Sequence, residues 1–317
     1  MSGPNDSPIK QSLSQFPSRR SVALTLGGVL LGIVMPKLIS GCWYDKRKVI
    51  ANGHLNKAEK EAESIVGKEF SELNTFFTAA KKNIPAFVDE ALGYYSKWII
   101  ITDLIPFTSG GTHEKFIRQI FNEKVFKANE LEKEVQATVK SCLDQISSVE
   151  NRMLVDLRAD IPDIPKEYFI QHLNEKLFQD KVDKIVVLAS VASTADIGPT
   201  IAINLASFIA GEALAMVAIQ LGVSSGILTA GAASSWLTFG IGAVVGLIVD
   251  QMVGWIWNWW ADPKGDLKQK LESKLEEIFL LVTNKLREEL KKNAIKRDIA
   301  RRNVVNDFLT SAPGNTK

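Results

Sequence analysis

The sequence predicts an all-α protein, a long-helix bundle carrying one hydrophobic helical hairpin. Three observations carry that expectation. From Leu55 onward apolar residues recur at spacings of three and four. No alternating strand pattern of useful length interrupts them. Between Glu212 and Asp250 lie 37 residues without a charge, more than one membrane span requires. The chain of 317 residues has room for one or two domains and a sizeable core. Four segments follow from the pattern: residues 1–41 as a signal peptide, 42–196 as the long-helix bundle, 197–261 as the hydrophobic hairpin, and 262–317 as an amphipathic C-terminal helix packing on the bundle.

At the N-terminus a polar stretch is followed by Arg19 and Arg20, then by 15 uncharged, mostly apolar residues at 21–35. That run has the length of a signal-peptide core and is short for a spanning helix. It leads to Ile39-Ser40-Gly41-Cys42, an aliphatic residue and two small ones before a cysteine. The tetrapeptide resembles the lipobox of bacterial lipoproteins, which implies that Cys42 receives lipid after residues 1–41 are removed. The segment Ser18-Arg19-Arg20-Ser21-Val22-Ala23-Leu24 resembles a twin-arginine signal, with Val22 where that pattern usually has Phe. An uncleaved anchor helix ending near Tyr44 is the competing reading.

The next apolar stripe runs from Leu55 through Phe70 and Phe77 to Ala80, with Pro85 expected to open a new helix at its first turn. The turn cluster at 106–111 precedes a very long helical pattern over 114–157, on the order of 65 Å if continuous. Within it Val135, Val139, Cys142, Ile146, Val149 and Met153 alternate four and three as a coiled-coil seam. Cys142 is therefore expected in the core rather than as a nucleophile. Ala159-Asp-Ile-Pro-Asp-Ile-Pro165 breaks the chain, and Pro165 is placed to open another helix. After the apolar region Leu267, Leu271, Leu275, Ile278, Val282, Leu286 and Leu290 form a final one-sided stripe.

The hairpin is expected to run out over 199–221, turn at Gly222-Val-Ser-Ser-Gly226 and return over 227–260. Gly242 and Gly246 stand four apart, where small residues let helices pack closely. Trp255, Trp257, Trp259 and Trp260 lie just before the polar exit, as in a membrane-interface aromatic belt. Glu212 and Asp250 are the intramembrane acids of this reading. A carboxylate at mid-bilayer costs about 2.5–3.5 kcal/mol, so each needs a partner, a proton or water. The alternative is that the hairpin is the buried core of a soluble bundle.

Composition narrows the function. The leader carries a net charge of +3, so removing it from the +2 chain leaves a mature protein near −1. Such a body has no global field for nucleic acid. With only Cys42 and Cys142, no internal disulfide is expected after lipidation. His54, His113 and His172 are far apart and read as solvated helix positions, with no metal site and no cofactor expected. The glycines at 240, 242 and 246 have the wrong spacing for a dinucleotide fingerprint. No catalytic motif is present, so no enzyme is expected. Residues 285–302 form a basic block of net +5, read as a solvated face or a contact for anionic headgroups.

The layout is also similar to the cytolysin A type of α-helical pore-forming proteins, in which a hydrophobic hairpin lies between long soluble helices. The sequence thus leads to two expectations. One is a non-enzymatic, membrane-anchored lipoprotein of the bacterial cell envelope, facing the periplasm or the exterior, whose partners are membrane lipid and a protein partner or second copy. The other is a membrane-perturbing protein that releases its hairpin and oligomerises.

Overall fold

The computed structural model describes residues 41–68, 70–103, 112–189, 205–223, 241–261 and 266–313. Every regular element among them is a helix: α1 (Gly41–Gly67), α2 (Ser71–Ala91), α3 (Tyr94–Asp103), α4 (Thr112–Lys124), α5 (Ala128–Asp160), α6 (Lys166–His172), α7 (Glu175–Leu188), α8 (Leu205–Gln220), α9 (Ile241–Ala261) and α10 (Leu267–Ser311). The all-α bundle is as the spacing predicts. Arg19, Arg20 and the parts of the expected hairpin at 199–204 and 224–240 lie outside the described residues.

α10, with 45 residues, is the spine and runs roughly 65 Å. Asp266 caps its start by accepting from the Lys268 backbone N–H at 2.8 Å, which satisfies one of the orphan donors of the first turn. α1, α2, α7 and α8 all pack against it. The predicted stripe from Leu267 to Leu290 is buried, and its line continues through Val305 and Leu309. α5 lies alongside α1, and all six expected seam residues from Val135 to Met153 are buried. Burial pushes the Cys142 thiol up to about 11, consistent with an inert core residue.

Helix boundaries depart from expectation in three places. Pro85 lies inside α2 rather than opening a helix. Its ring costs one backbone hydrogen bond, but Leu73, Phe77, Ala80, Ile84, Phe87 and Ala91 form one buried face on both sides of it and keep the helix running. Helix α2 stops instead at Leu92 and Gly93, whose backbone N–H groups bond back to Val88 and Glu90. The stripe over 55–80 is two helices, divided before Phe70.

The long pattern over 114–157 likewise divides at 125–127. Val125 and Phe126 are buried in that turn, and Phe126 meets Phe76, Phe77 and Phe121 at 5.4–6.4 Å between centroids. Glu130 accepts from the Lys127 backbone and starts the next helix. An aromatic cluster, not a glycine or proline, makes this corner. Pro165 does precede a helix, as the N-cap of α6.

The axis of the bundle has two distinct ends. The start of α1 lies with the end of α10, where Arg47 Nη1 donates to the Pro313 carbonyl at 3.3 Å. Asp160, at the end of α5, is there too, 2.9 Å from His54. α3, the start of α4, the end of α9 and the start of α10 occupy the opposite end. The described helices from Gly41 onward belong to one compact unit, so the expected 42–196, 197–261 and 262–317 segments are parts of a single body.

Candidate functional site

The two apolar helices α8 and α9 pack on one another and against α5, with α8 also on α10 and α9 also on α4. α8 ends in a left-handed glycine cap: Gly222 has φ 92°, and the Val223 N–H reaches back to the Ala218 carbonyl at 3.0 Å. Ile209, Ala210, Ala213, Leu214, Val217 and Ala218 bury the helix among its neighbours. α9 is long and apolar enough to cross a membrane, spanning 20 residues at a mean hydropathy of 1.4, and 44 % of its apolar stretch is buried in the bundle. Its uncovered positions carry no charge other than Asp250: Ala243, Trp257 and Asn258 are exposed, and Leu247, Asp250, Gln251 and Gly254 are half-buried.

Asp250 forms an ion pair with Arg118 of α4, both side chains about two-fifths exposed. The partner expected for this acid is therefore supplied by the bundle, at a site open enough that the pair contributes little to stability by itself. Glu212 is half-buried on α8. A Cβ on Gly242 would come within 2.9 Å of the Glu132 carboxylate of α5, the movable end of a side chain rather than a helix backbone. Gly246 meets nothing within 4 Å; the two glycines do not share a packing seam.

The tryptophans do not form one outward ring. Trp260 turns inward and donates its indole N–H to His113 Nε2 at 2.7 Å, its ring stacked on the imidazole at 17°. Ser96 of α3 lies 2.8 Å from the same nitrogen. Trp259 stacks on Trp260, Trp255 lies under Lys274 Nζ at 4.7 Å, and only Trp257 is exposed. His113 is fully buried, contrary to the solvated position expected for it. It joins α3, α4 and α9 in one polar hub, and no local pattern around a lone histidine could have foretold partners from two other helices. His172 is exposed, as expected.

A second cluster sits in the core. Glu150 of α5 is completely buried and takes Arg297 of α10 in a two-point grip at 3.0 and 2.7 Å. Arg301 reaches the same carboxylate at 3.4 Å. Arg297 also bonds Asp183 and Gln179 of α7 at 2.5 and 2.8 Å. Burial opposes the charge of Arg297, yet the two carboxylates hold its pKa above the ordinary arginine value. For Asp183 burial dominates and raises its carboxyl, because Arg297 is shared with Glu150.

The expected basic face over 285–302 is corrected accordingly: Arg297 and Arg301 point into the bundle. Extending the α10 stripe from Leu290 through 297 and 301 to Val305 would have located both. Lys285 and Lys292, by contrast, pair along the helix with Glu288 and Glu289.

Among the described residues no three His, Cys, Asp or Glu side chains converge to hold a metal. A groove of about 340 Å³ between α1 and α10 is floored by Ala62, Val66 and Ala294. Cys42 belongs to α1 by its backbone; its side chain lies outside the described residues. Fold and clusters together define an all-α bundle with an apolar helix pair docked in it. Comparisons with protein-family models, curated proteins and solved structures find no match to this chain.

Proposed function

We propose that this chain is a non-enzymatic, lipid-anchored protein of the bacterial cell envelope. Cys42 carries the lipid after residues 1–41 are removed. The bundle offers long helical faces to a protein partner or a second copy, and the α8–α9 pair meets lipid. The observation that carries the lipid contact is the outer side of α9. A helix that merely covers a soluble core carries charge on its solvent side; α9 has one charge, Asp250, held by Arg118, and its other polar side chains, Gln251 and Asn258, are uncharged. The decisive experiment floats the purified protein, with Cys42→Ser and without its leader, on liposomes. Co-flotation through the apolar pair is expected. A monomer that stays in the aqueous phase and leaves the vesicles intact would overturn the lipid contact.

One observation favours the second reading, a membrane-perturbing protein that stores its apolar pair. The pair is docked along the bundle, and the ion pair tying α9 to α4 is open to water. A latch of that kind is cheap to open. Release of an entrapped dye from liposomes by a protein that is otherwise a soluble monomer is the outcome that reading requires.

A further inference from the structure

At the end of the bundle opposite α1's start, the surface changes character. Tyr94, Tyr95 and Trp98 on α3 are 84 %, 64 % and 55 % exposed, and Trp257 of α9 is 40 % exposed. Three large aromatics are thus left in solvent on α3, and Trp257 on α9, at the same end of the bundle. The patch is a fixed one. Ser96, between Tyr95 and Lys97, is completely buried against His113, and His113 holds Trp260 by a hydrogen bond and lies 5.3 Å from the Trp257 ring. Tyr95 packs edge-on to Phe116 of α4 at 5.3 Å. The hub thus locks α3 and α9 together from beneath, leaving the aromatics on the outside.

The chemistry of the patch selects its occupant. Tyr and Trp, with an apolar body and a polar edge, favour the headgroup layer of a bilayer over either water or hydrocarbon. Lys97 and Lys115 flank them, both exposed and neither with a carboxylate partner among the described residues. Aromatics with free lysines complement an anionic lipid surface.

Position selects which surface. α10 separates this end from the start of α1 by roughly 65 Å, about twice the hydrocarbon thickness of a membrane. The α1 flank between the two ends carries solvated ion pairs: Lys57–Asp156, Arg152–Glu61 and Arg302–Glu59. That side is unsuited to lying on lipid.

We infer that the α3–α9 aromatic end is a lipid-docking surface that engages a second membrane surface, distinct from the one that holds Cys42, so that the bundle bridges the two. The bridging half rests on the lipid-anchor reading proposed above.

The test is vesicle tethering. Protein purified from membranes is placed in donor vesicles through its own lipid. If intact mass finds Cys42 unmodified, its thiol is coupled to a maleimide-headgroup lipid; Cys142 is buried and unreactive. An unmodified Cys42 overturns the anchor reading only. Bare acceptor vesicles of phosphatidylcholine with phosphatidylglycerol are then added and donor–acceptor pairing is read by light scattering and two-colour coincidence.

Wild type is expected to pair donors with acceptors. Pairing should fall on the order of fivefold for each of Lys97→Gln and Lys115→Gln. It should be lost in the Tyr94→Ser/Tyr95→Ser/Trp98→Ser variant, whose helical circular dichroism should match wild type because these side chains are exposed. Ile295→Ser/Ile299→Ser, equally exposed on α10, is the control and should tether normally. Three results overturn the inference: an anchored wild type that draws no acceptors, an aromatic triple variant that still tethers, or pairing confined to donor with donor, which would make the surface a contact between copies.

Discussion

Glu150→Gln removes one charge and almost no volume from the centre of the bundle, and its cost can be worked from the contacts. Both carboxylate oxygens are committed, one to Arg297 and Arg301 together, the other to Arg297. After substitution Arg297 keeps Asp183 and Gln179. Arg301 is worse placed: it is fully buried, its Nε has no partner, and it retains only Asp298 at 3.2 Å. One guanidinium is left largely uncompensated in a dry site, and breaking a buried pair in this way costs about 3–5 kcal/mol. The lower end is expected here, about 3 kcal/mol, because two carboxylates remain nearby.

The measurement is urea unfolding of the leaderless Cys42→Ser protein followed by circular dichroism, with the slope held common to all variants. A companion triple variant, Glu150→Leu/Arg297→Leu/Arg301→Met, exchanges the cluster for apolar volume. It should recover wild-type stability or exceed it by roughly 1–4 kcal/mol. Glu150→Gln within about 0.5 kcal/mol of wild type would refute the reasoning, since that is the range of an inconsequential surface change.

Asp183 supplies a pH signature. Its folded carboxyl titrates above its unfolded one, so ionisation costs stability, fully above the raised value and not at all below the unfolded value. The advantage of wild type over Asp183→Asn should therefore grow as the pH falls through that window; a pH-independent difference would contradict it. In the α5 seam, Ile146→Asp should unfold the bundle at far lower urea than Gln145→Asp, because Ile146 is fully buried and Gln145 exposed. Equal midpoints would sink the seam. Asp250→Asn should raise partition into liposomes at least about tenfold by removing both the carboxylate and its tie to Arg118, and unchanged partition would place α9 permanently in the core. Cys42→Ser should abolish fatty-acid labelling and leave unprocessed precursor, while Lys in place of Arg19 and Arg20 should block export; normal export of that double mutant removes the twin-arginine route alone.

What could be read from the sequence was what a single helix determines for itself. The seam from Val135 to Met153 and the stripe from Leu267 to Leu290 are periodic in their own segments, and all of these residues are buried. The corner at 125–127 was hidden because Phe126 is stabilised by rings from α2, and Pro85 misled because the face around it outweighs one lost hydrogen bond. Charges obey the same division. Arg297 looks like its neighbours Lys296 and Asp298 until Glu150, 147 residues earlier, is brought against it. The docking of α8 and α9 had no sequence signature of its own, since a membrane span and a core helix draw on the same residues.

The spine helix has a consequence for the order in which the molecule can be made. α10 is synthesised after α1, α2, α7 and α8, yet all four rest on it. Until its residues leave the ribosome, at about 5–20 per second, those four helices lack the partner they share. Of the apolar pair made immediately ahead of it, α8 waits without its α10 cover. The nascent chain therefore passes through a stage of several seconds in which its most adhesive segment is finished and its clasp is not. Truncations within the last turns of α10 should act less as local trimming than as failures of closure, registered by aggregation or proteolysis before any folded product accumulates.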